Sequence, residues 1–263
     1  MMDKTPTMNQ TTPHSIEREF GVPVPGEILE HSQWTQTALK KMPESGKLNW
    51  AELFGRVAPV VVDLGCGNGR FLIGSALQRR DHDHLGVDAL PVVVRYARRR
   101  GNQRGLANLK FAVGGAWELL DRWVPAGSLA EIHCYHPQPY YDPGQVHWRL
   151  ITPAFLALVH RSLLPGGVFV VQTDNPGYWR YISAVVPTFF DFTEHAESWP
   201  DAPKGRTRRE IIARRKGLPI FRGVGRAKVG LSEAEALRLT EAMPPPVFDA
   251  DRRFREADLL DRG

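Results

Sequence analysis

Three observations predict a doubly wound α/β fold with a mostly parallel sheet. Short apolar, β-branched runs alternate with amphipathic segments from Val60 to Val186. Those runs are apolar throughout rather than at every second position, the mark of strands covered on both faces. The first of them, Val60 to Asp63, leads into Gly65-Cys66-Gly67-Asn68-Gly69 and then an amphipathic segment, which reads as strand, tight turn and helix start.

Taken in order, Met1 to about His14 is rich in Thr, Asn and Pro without periodicity, and residues 1–15 read as a disordered tail. Pro23 to Gly26 makes a turn. Ile28 to Met42 spaces Ile28, Leu29, Trp34, Ala38 and Leu39 roughly as a helix does, and Trp50 to Phe54 is a short helix closing this leader. Val60 to Asp63 is the first strand, followed by a helix from Phe71 to Arg79. His84 to Asp88 is a second strand ending in an acid, and Leu90 to Arg100 a basic amphipathic helix. Leu109 to Val113 is the third strand, Trp117 to Trp123 a helix and Leu129 to Tyr135 the fourth strand. Trp148 to Leu164 reads as one long helix stopped by Pro165-Gly166-Gly167, with a fifth strand over Val168 to Thr173. Tyr178 to Val186 is helical. Regular spacing then fades until Leu231 to Ala242, a surface helix ended by Pro244-Pro245-Pro246 and followed by a charged tail. The expected organisation is one domain over residues 16–228 with a helix and tail over 229–263. A ligand of such a sheet lies beyond the carboxyl ends of its strands.

Composition narrows the classes. At 263 residues the chain buries a sizeable core. No apolar run reaches the ~18–20 residues of a membrane span, and the first residues lack the apolar centre of a signal peptide. Two cysteines, Cys66 and Cys134, make neither a disulfide framework nor a metal cluster. A cytoplasmic protein is expected, without membrane partners, as monomer or homodimer. Charge is uneven. Lys204 to Lys228 holds ten Lys or Arg against one acid, Glu210, a net of +9, which leaves about −4 for the rest of a chain whose total is +5. That segment suits either a polyanion such as nucleic acid or a solvated face. Arg95, Arg98, Arg99, Arg100 and Arg104 form a second cluster, read as a solvated helix face.

The glycine turn points to a ligand with phosphate, carboxylate or ammonium groups. Its backbone permits close approach, and the helix beyond it offers free N–H groups. Asp63, at the strand end, is placed to accept from an ammonium or hydroxyl. Cys66 has no sequence-local base and reads as a small residue filling the turn. His82 and His84 read as surface residues, and no histidine spacing suggests a metal.

Dinucleotide folds carry Gly-x-Gly-x-x-Gly at this junction. Asp63-x-Gly65-x-Gly67-x-Gly69 instead resembles the Asp/Glu-x-Gly-x-Gly-x-Gly signature of class I S-adenosylmethionine-dependent methyltransferases. Asp88, 25 residues after Asp63, falls where that family places an acid on the ribose. Leu164-Pro165-Gly166-Gly167 is similar to its Leu-x-Pro-Gly-Gly turn.

A narrower resemblance covers about Pro25 to Arg226. Phe54-Gly55-Arg56, Ala58-Pro59, Pro137-x-Pro139, Arg149-Leu150, Thr173-Asp174-Asn175, Thr207-Arg208-Arg209-Glu210 and Gly217-x-Pro219-Ile220-Phe221-Arg222 resemble bacterial tRNA (guanine-N7-)-methyltransferase. The resemblance implies methyl transfer from S-adenosylmethionine to N7 of a tRNA guanine, in the variable loop. It implies that Asp63, Gly65, Gly67 and Asp88 hold the donor, with Gly115 near its adenine, where the family has Asp or Asn. Asp174, Thr207 and Glu210 fall where the family binds guanosine, and Asp142 joins them from the acceptor loop. No metal is implied. One departure stands out. The family's Pro-Asp-Pro-Trp-Pro and following basic run read here Pro137-Gln138-Pro139-Tyr140-Tyr141, then Asp142 to Trp148, with only His147 and Arg149 left of the cations. Gln138 therefore occupies the position of the catalytic acid, beside the donor. Two alternatives stay open on these residues: a tRNA-binding paralogue without turnover, and a methyltransferase acting on another base or a small molecule.

Overall fold

Val60–Leu64 (β1) is buried at every position, and its residues divide between two cores. Val60, Val62 and Leu64 pack with Leu85, Val87, Ile132, Phe169 and Val171. Val61 packs on the other side, with Phe71, Leu72, Ile73, Phe111 and Val170. Around β1 stand Asp83–Asp88 (β2), Leu109–Val113 (β3), Leu129–Tyr135 (β4), Leu163–Thr173 (β5), Phe190–Glu194 (β6) and Phe221–Ala227 (β7), in the order β3-β2-β1-β4-β5-β7-β6. The first five are parallel; β7 runs antiparallel to β5 and to β6. Strand order reverses between β1 and β4, so their carboxyl ends open the crevice where such sheets take ligands. The computed structural model describes residues 16–251, 254–256 and 260. The tail expected over 1–15 lies outside them, as does part of the charged C-terminal tail.

The helices are α1 (Trp50–Phe54), α2 (Arg70–Gln78), α3 (Pro91–Gln103), α4 (Ala116–Glu118, loosening into a wider turn over Leu119–Trp123), α5 (Pro153–Ser162), α6 (Pro176–Val185), α7 (Arg208–Arg215) and α8 (Glu233–Glu241). None is long and apolar enough to cross a membrane among the described residues.

Several sequence expectations give way to specific contacts. Ile28 to Met42 is not a helix: only His31–Gln33 forms a 3-10 turn. The segment instead lies along the open edge of β3, where Phe111 N–H donates to the Thr37 carbonyl and Leu39 N–H to that of Phe111. An edge strand leaves main-chain groups unpaired, and covering them outweighs a loose helical spacing. The long helix expected from Trp148 begins only at Pro153, where the Thr152 hydroxyl caps the Phe155 N–H at 3.1 Å and proline takes the first turn. Pro143–Trp148 is a separate 3-10 segment. β5 starts at Leu163, so the Pro165-Gly166-Gly167 turn lies inside the strand as an irregularity opposite Leu129 to Glu131.

Strands β6 and β7 had no sequence signal. β7 reads Phe-Arg-Gly-Val-Gly-Arg-Ala, and its glycines are needed because a Cβ at Gly223 or Gly225 would collide with Phe192 or Phe190 of β6. The α3 arginines are not one solvated face. Arg95 and Arg99 are exposed, but Arg100 and Arg104 are buried against Glu17 and Glu19 of the leader. His84 is also buried, its ring nitrogen 3.0 Å from the Ser75 hydroxyl, and burial drives its pKa down to about 3.

Candidate active site

Gly65, Gly67 and Gly69 all adopt left-handed backbone, with φ of 81°, 52° and 79°. The turn is closed by N–H donation from Gly65 and Cys66 to the Val87 carbonyl. A Cβ at Gly65 or Gly67 would meet nothing within 4 Å, so both face open space. At Gly69 a Cβ would lie 2.7 Å from Phe111 and 2.9 Å from Ala97, so that glycine serves the packing of α2 against α3 and β3. Cys66 is buried. Burial first, and then the nearby Asp63 and Asp88 carboxylates, push its thiol well above the usual range, which disfavours thiolate chemistry.

Asp63 stands beneath this turn, 2% exposed, and its Oδ1 has no hydrogen-bond partner among the described residues. Burial and, second, the Asp88 carboxylate raise its pKa well above the ordinary value. Native proteins rarely leave such a group unpaired. Asp88 faces the same turn: Oδ2 accepts from the Gly67 N–H at 3.0 Å and Oδ1 from the Leu90 N–H at 2.9 Å. Gly115 is the N-cap residue before α4, and its neighbour Gly114 donates to the Asp88 carbonyl. The structure thus gathers Asp63, Gly65, Gly67, Asp88 and Gly115 around one open turn.

The acceptor side differs. After β4 the chain turns at His136, which adopts φ 50°, and passes half-buried Gln138 to Tyr140, with φ 45°. Asp142 is half-buried and heads the Pro143–Trp148 turn. Behind this loop lies a polar network. The Trp199 indole N–H, which can only donate, fixes the Gln172 amide oxygen at 2.6 Å. The Gln172 amide nitrogen therefore faces His136 Nε2 at 2.9 Å and Glu210 Oε2 at 3.2 Å. Nε2 must accept, so His136 presents its Nδ1–H to Asp174, 3.3 Å away. Asp174 also binds Arg209 at 2.8 Å. Burial opposes its ionisation, but His136 and Arg209 outweigh burial and hold its pKa below the usual range.

Glu210 is fully buried. Oε1 accepts from Arg222 at 2.7 Å and Arg214 at 3.0 Å, and Oε2 from the Arg206 N–H at 2.9 Å. Here too the partners overcome burial and lower the pKa. Thr207 caps α7 by accepting the Glu210 N–H at 3.0 Å. Asp174 and Glu210 are joined through Gln172 and His136, while Thr207, one turn away, serves the helix.

Two features escaped the sequence. Glu131, His133 and Tyr135 share one face of β4 and form a chain that runs from half-buried Arg79 and Glu131 to buried His133 and Tyr135: Arg79 to Glu131 at 2.6 Å, Glu131 to His133 at 2.9 Å, His133 to Tyr135 at 3.0 Å. Arg206 continues it, donating to the Tyr135 hydroxyl at 2.9 Å while its guanidinium covers Trp199 at 4.1 Å. Polar residues at every second position of a buried strand were the available signal. Second, the Lys204–Lys228 cations do not form a free stripe. Arg206 pairs with Asp201, Arg209 with Asp174, Arg214 and Arg222 with Glu210, and Lys216 with Glu256. Among the described residues no cluster of His, Cys, Asp or Glu is suited to a metal.

Comparison with known proteins places this geometry. Residues 57–222 match a family model described as "Putative methyltransferase". The tRNA (guanine-N(7)-)-methyltransferase of Alcanivorax borkumensis is 31% identical over 191 residues, covering 73% of this chain and 79% of that relative. Its counterpart from Halorhodospira halophila is 32% identical, covering 71% of this chain and 82% of the relative. Among solved structures, the 16S rRNA methyltransferase KamB shares the fold at a TM-score of 0.51 with 16% identity, over 73% of this chain and 99% of that one.

Proposed function

We propose, for a chain that belongs to the family of tRNA (guanine-N(7)-)-methyltransferases, that it transfers a methyl group from S-adenosylmethionine to N7 of a guanine in tRNA. The observation that carries the donor side is Asp63, a buried carboxylate with an unpartnered oxygen beneath an open glycine turn. An ammonium is the partner that such a group lacks, and the aminoacyl end of S-adenosylmethionine provides one. Asp63, Gly65 and Gly67 would hold that end. Asp88 keeps unused lone pairs for the ribose hydroxyls, and the Gly114-Gly115 backbone lies next to it. When bound, the donor supplies a methyl group carried on a sulfonium.

The remaining work falls to this chain's own groups. Guanine N7 has a free lone pair, so no base need remove a proton, and positioning supplies much of the rate. Gln138 lies on the acceptor loop and offers hydrogen bonds without charge. Asp174 and Glu210 are committed to Arg209, Arg214 and Arg222. In this reading they act by holding His136, Gln172 and the loop in place. Residues 16–228 hold the groups named here, with the segment after them packed on the same core, and the cytoplasm is the protein's setting.

The test is methylation of an unmodified tRNA transcript, with sites mapped by borohydride–aniline cleavage. N7-methylguanosine in the variable loop, absent with Asp63→Ala, is the expected result. Methylation at another base, or no product above the Asp63→Ala background, overturns it.

A further inference from the structure

The acceptor loop is fastened by a part of the chain beyond the stretch that the family model matches. Arg149 is buried, and its guanidinium spans two segments. Nε donates to the Pro139 carbonyl at 2.6 Å and Nη2 to that of Tyr140 at 3.0 Å. Nη1 donates to the carbonyls of Pro246 at 2.6 Å and Phe248 at 3.2 Å. The Phe248 ring covers the same guanidinium, its centroid 3.6 Å from the central carbon. Four carbonyl oxygens on one planar fork make a clamp of fixed geometry.

The segment is held at further points. The Tyr181 hydroxyl donates to the Pro244 carbonyl at 3.0 Å, and Phe248 stacks on Tyr178 at 4.7 Å. The side chain of Asn175 caps α6 through its oxygen and donates to the Ala250 carbonyl through its nitrogen. A Cβ at Gly177 would collide with the Asp249 carbonyl, so the fit is close on this side too. Asn175 follows Asp174, so the segment rests on the end of β5 as well as on the loop after β4. His136 and Tyr140, in that loop, hold left-handed backbone. Such conformations persist in non-glycine residues only where the surroundings enforce them.

We propose that residues 244–250 are a built part of the acceptor site, and that Arg149 is the positioning residue through which they set the loop over 137–149. The effect on turnover rests on the methyltransferase reading; the ordering of the loop does not.

The test compares the full-length protein with full-length Arg149→Lys and with a chain ended after Met243. Hydrogen exchange over 136–149, measured without tRNA, should rise about 10-fold or more, while β1, β2 and β3 exchange as in the intact protein. Affinity for S-adenosylhomocysteine should stay unchanged. Turnover on tRNA should fall about 10- to 100-fold, in kcat rather than in the donor KM, because a displaced loop misplaces the base. A peptide of residues 244–263 added in trans should restore it. Arg149→Lys keeps the charge but not the fork, and should reproduce the truncation. Unchanged exchange over 136–149 overturns the proposal, as does an equal rise in β1, β2 and β3. If the intact protein methylates no tRNA, the proposed function fails, and the exchange result decides the clamp independently.

Discussion

Asp63 and Glu210 are both buried carboxylates, yet they are treated in opposite ways. Glu210 accepts from two arginines, a main-chain N–H and an amide, and these partners hold it ionised against its burial. Asp63 has an unpartnered oxygen and a second carboxylate, Asp88, as its electrostatic neighbour, and its pKa rises. The contrast separates two jobs that residue type alone does not. A carboxylate with its partners in place holds structure; one with an unpartnered oxygen beneath an open turn and no cation beside it is placed to take a partner from outside. On this view the donor side is open, while the carboxylates of the acceptor side already have their cations.

The largest test of that contrast is Glu210→Ala. It strips Arg222 and Arg214 of their acid and should cost about 3–5 kcal/mol in denaturant unfolding. A loss of tRNA methylation with stability intact would mean instead that Glu210 works on the substrate. Asp63→Asn should do the reverse. Affinity for S-adenosylhomocysteine should fall by about 2–5 kcal/mol, as when one partner of a buried charge pair is removed, while thermal stability holds or rises. The sign follows from the raised pKa. The folded, empty protein binds a proton that the unfolded chain releases at ordinary carboxylate pH, so stability falls as pH rises through the elevated value. Asp63→Asn should remove that slope from the unfolding profile.

The glycines make a smaller and finer comparison. Gly67→Ala, at φ 52° with open space above it, carries a backbone cost of about 1–2 kcal/mol and should weaken the donor as well. Gly69→Ala adds contact with Phe111 and Ala97 and should lower the melting temperature more. Calorimetry on both variants, with and without S-adenosylhomocysteine, checks the split.

The open side was legible in the sequence because its signals are local. Val60 to Asp63, the three glycines and Asp88 are set by one strand–turn–helix unit and the strand after it. The closed side was read less well because its meaning is tertiary. The cations of Lys204 to Lys228 and of α3 look alike in a composition count; of their partners, Asp174, Glu17 and Glu19 lie far away in the chain. The leader departs from its helical spacing because what shapes it is the unpaired edge of β3, and β7 carries no strand signal because its glycines answer to the phenylalanines of β6. In the sequence Arg149 reads as a remnant of a basic run, whereas its four carbonyl partners come from two segments about 100 residues apart.

The most direct measurement is the proton balance of S-adenosylhomocysteine binding, by titration calorimetry in two buffers of different ionisation enthalpy at mildly acidic pH. If Asp63 is the group that awaits the ligand's ammonium, binding drives its carboxyl to ionise. The wild type then releases a proton, tightens its grip as pH rises, and Asp63→Asn shows neither effect. Binding with no proton release, or equal affinity in Asp63→Asn, would contradict the assignment of the open side to the methyl donor.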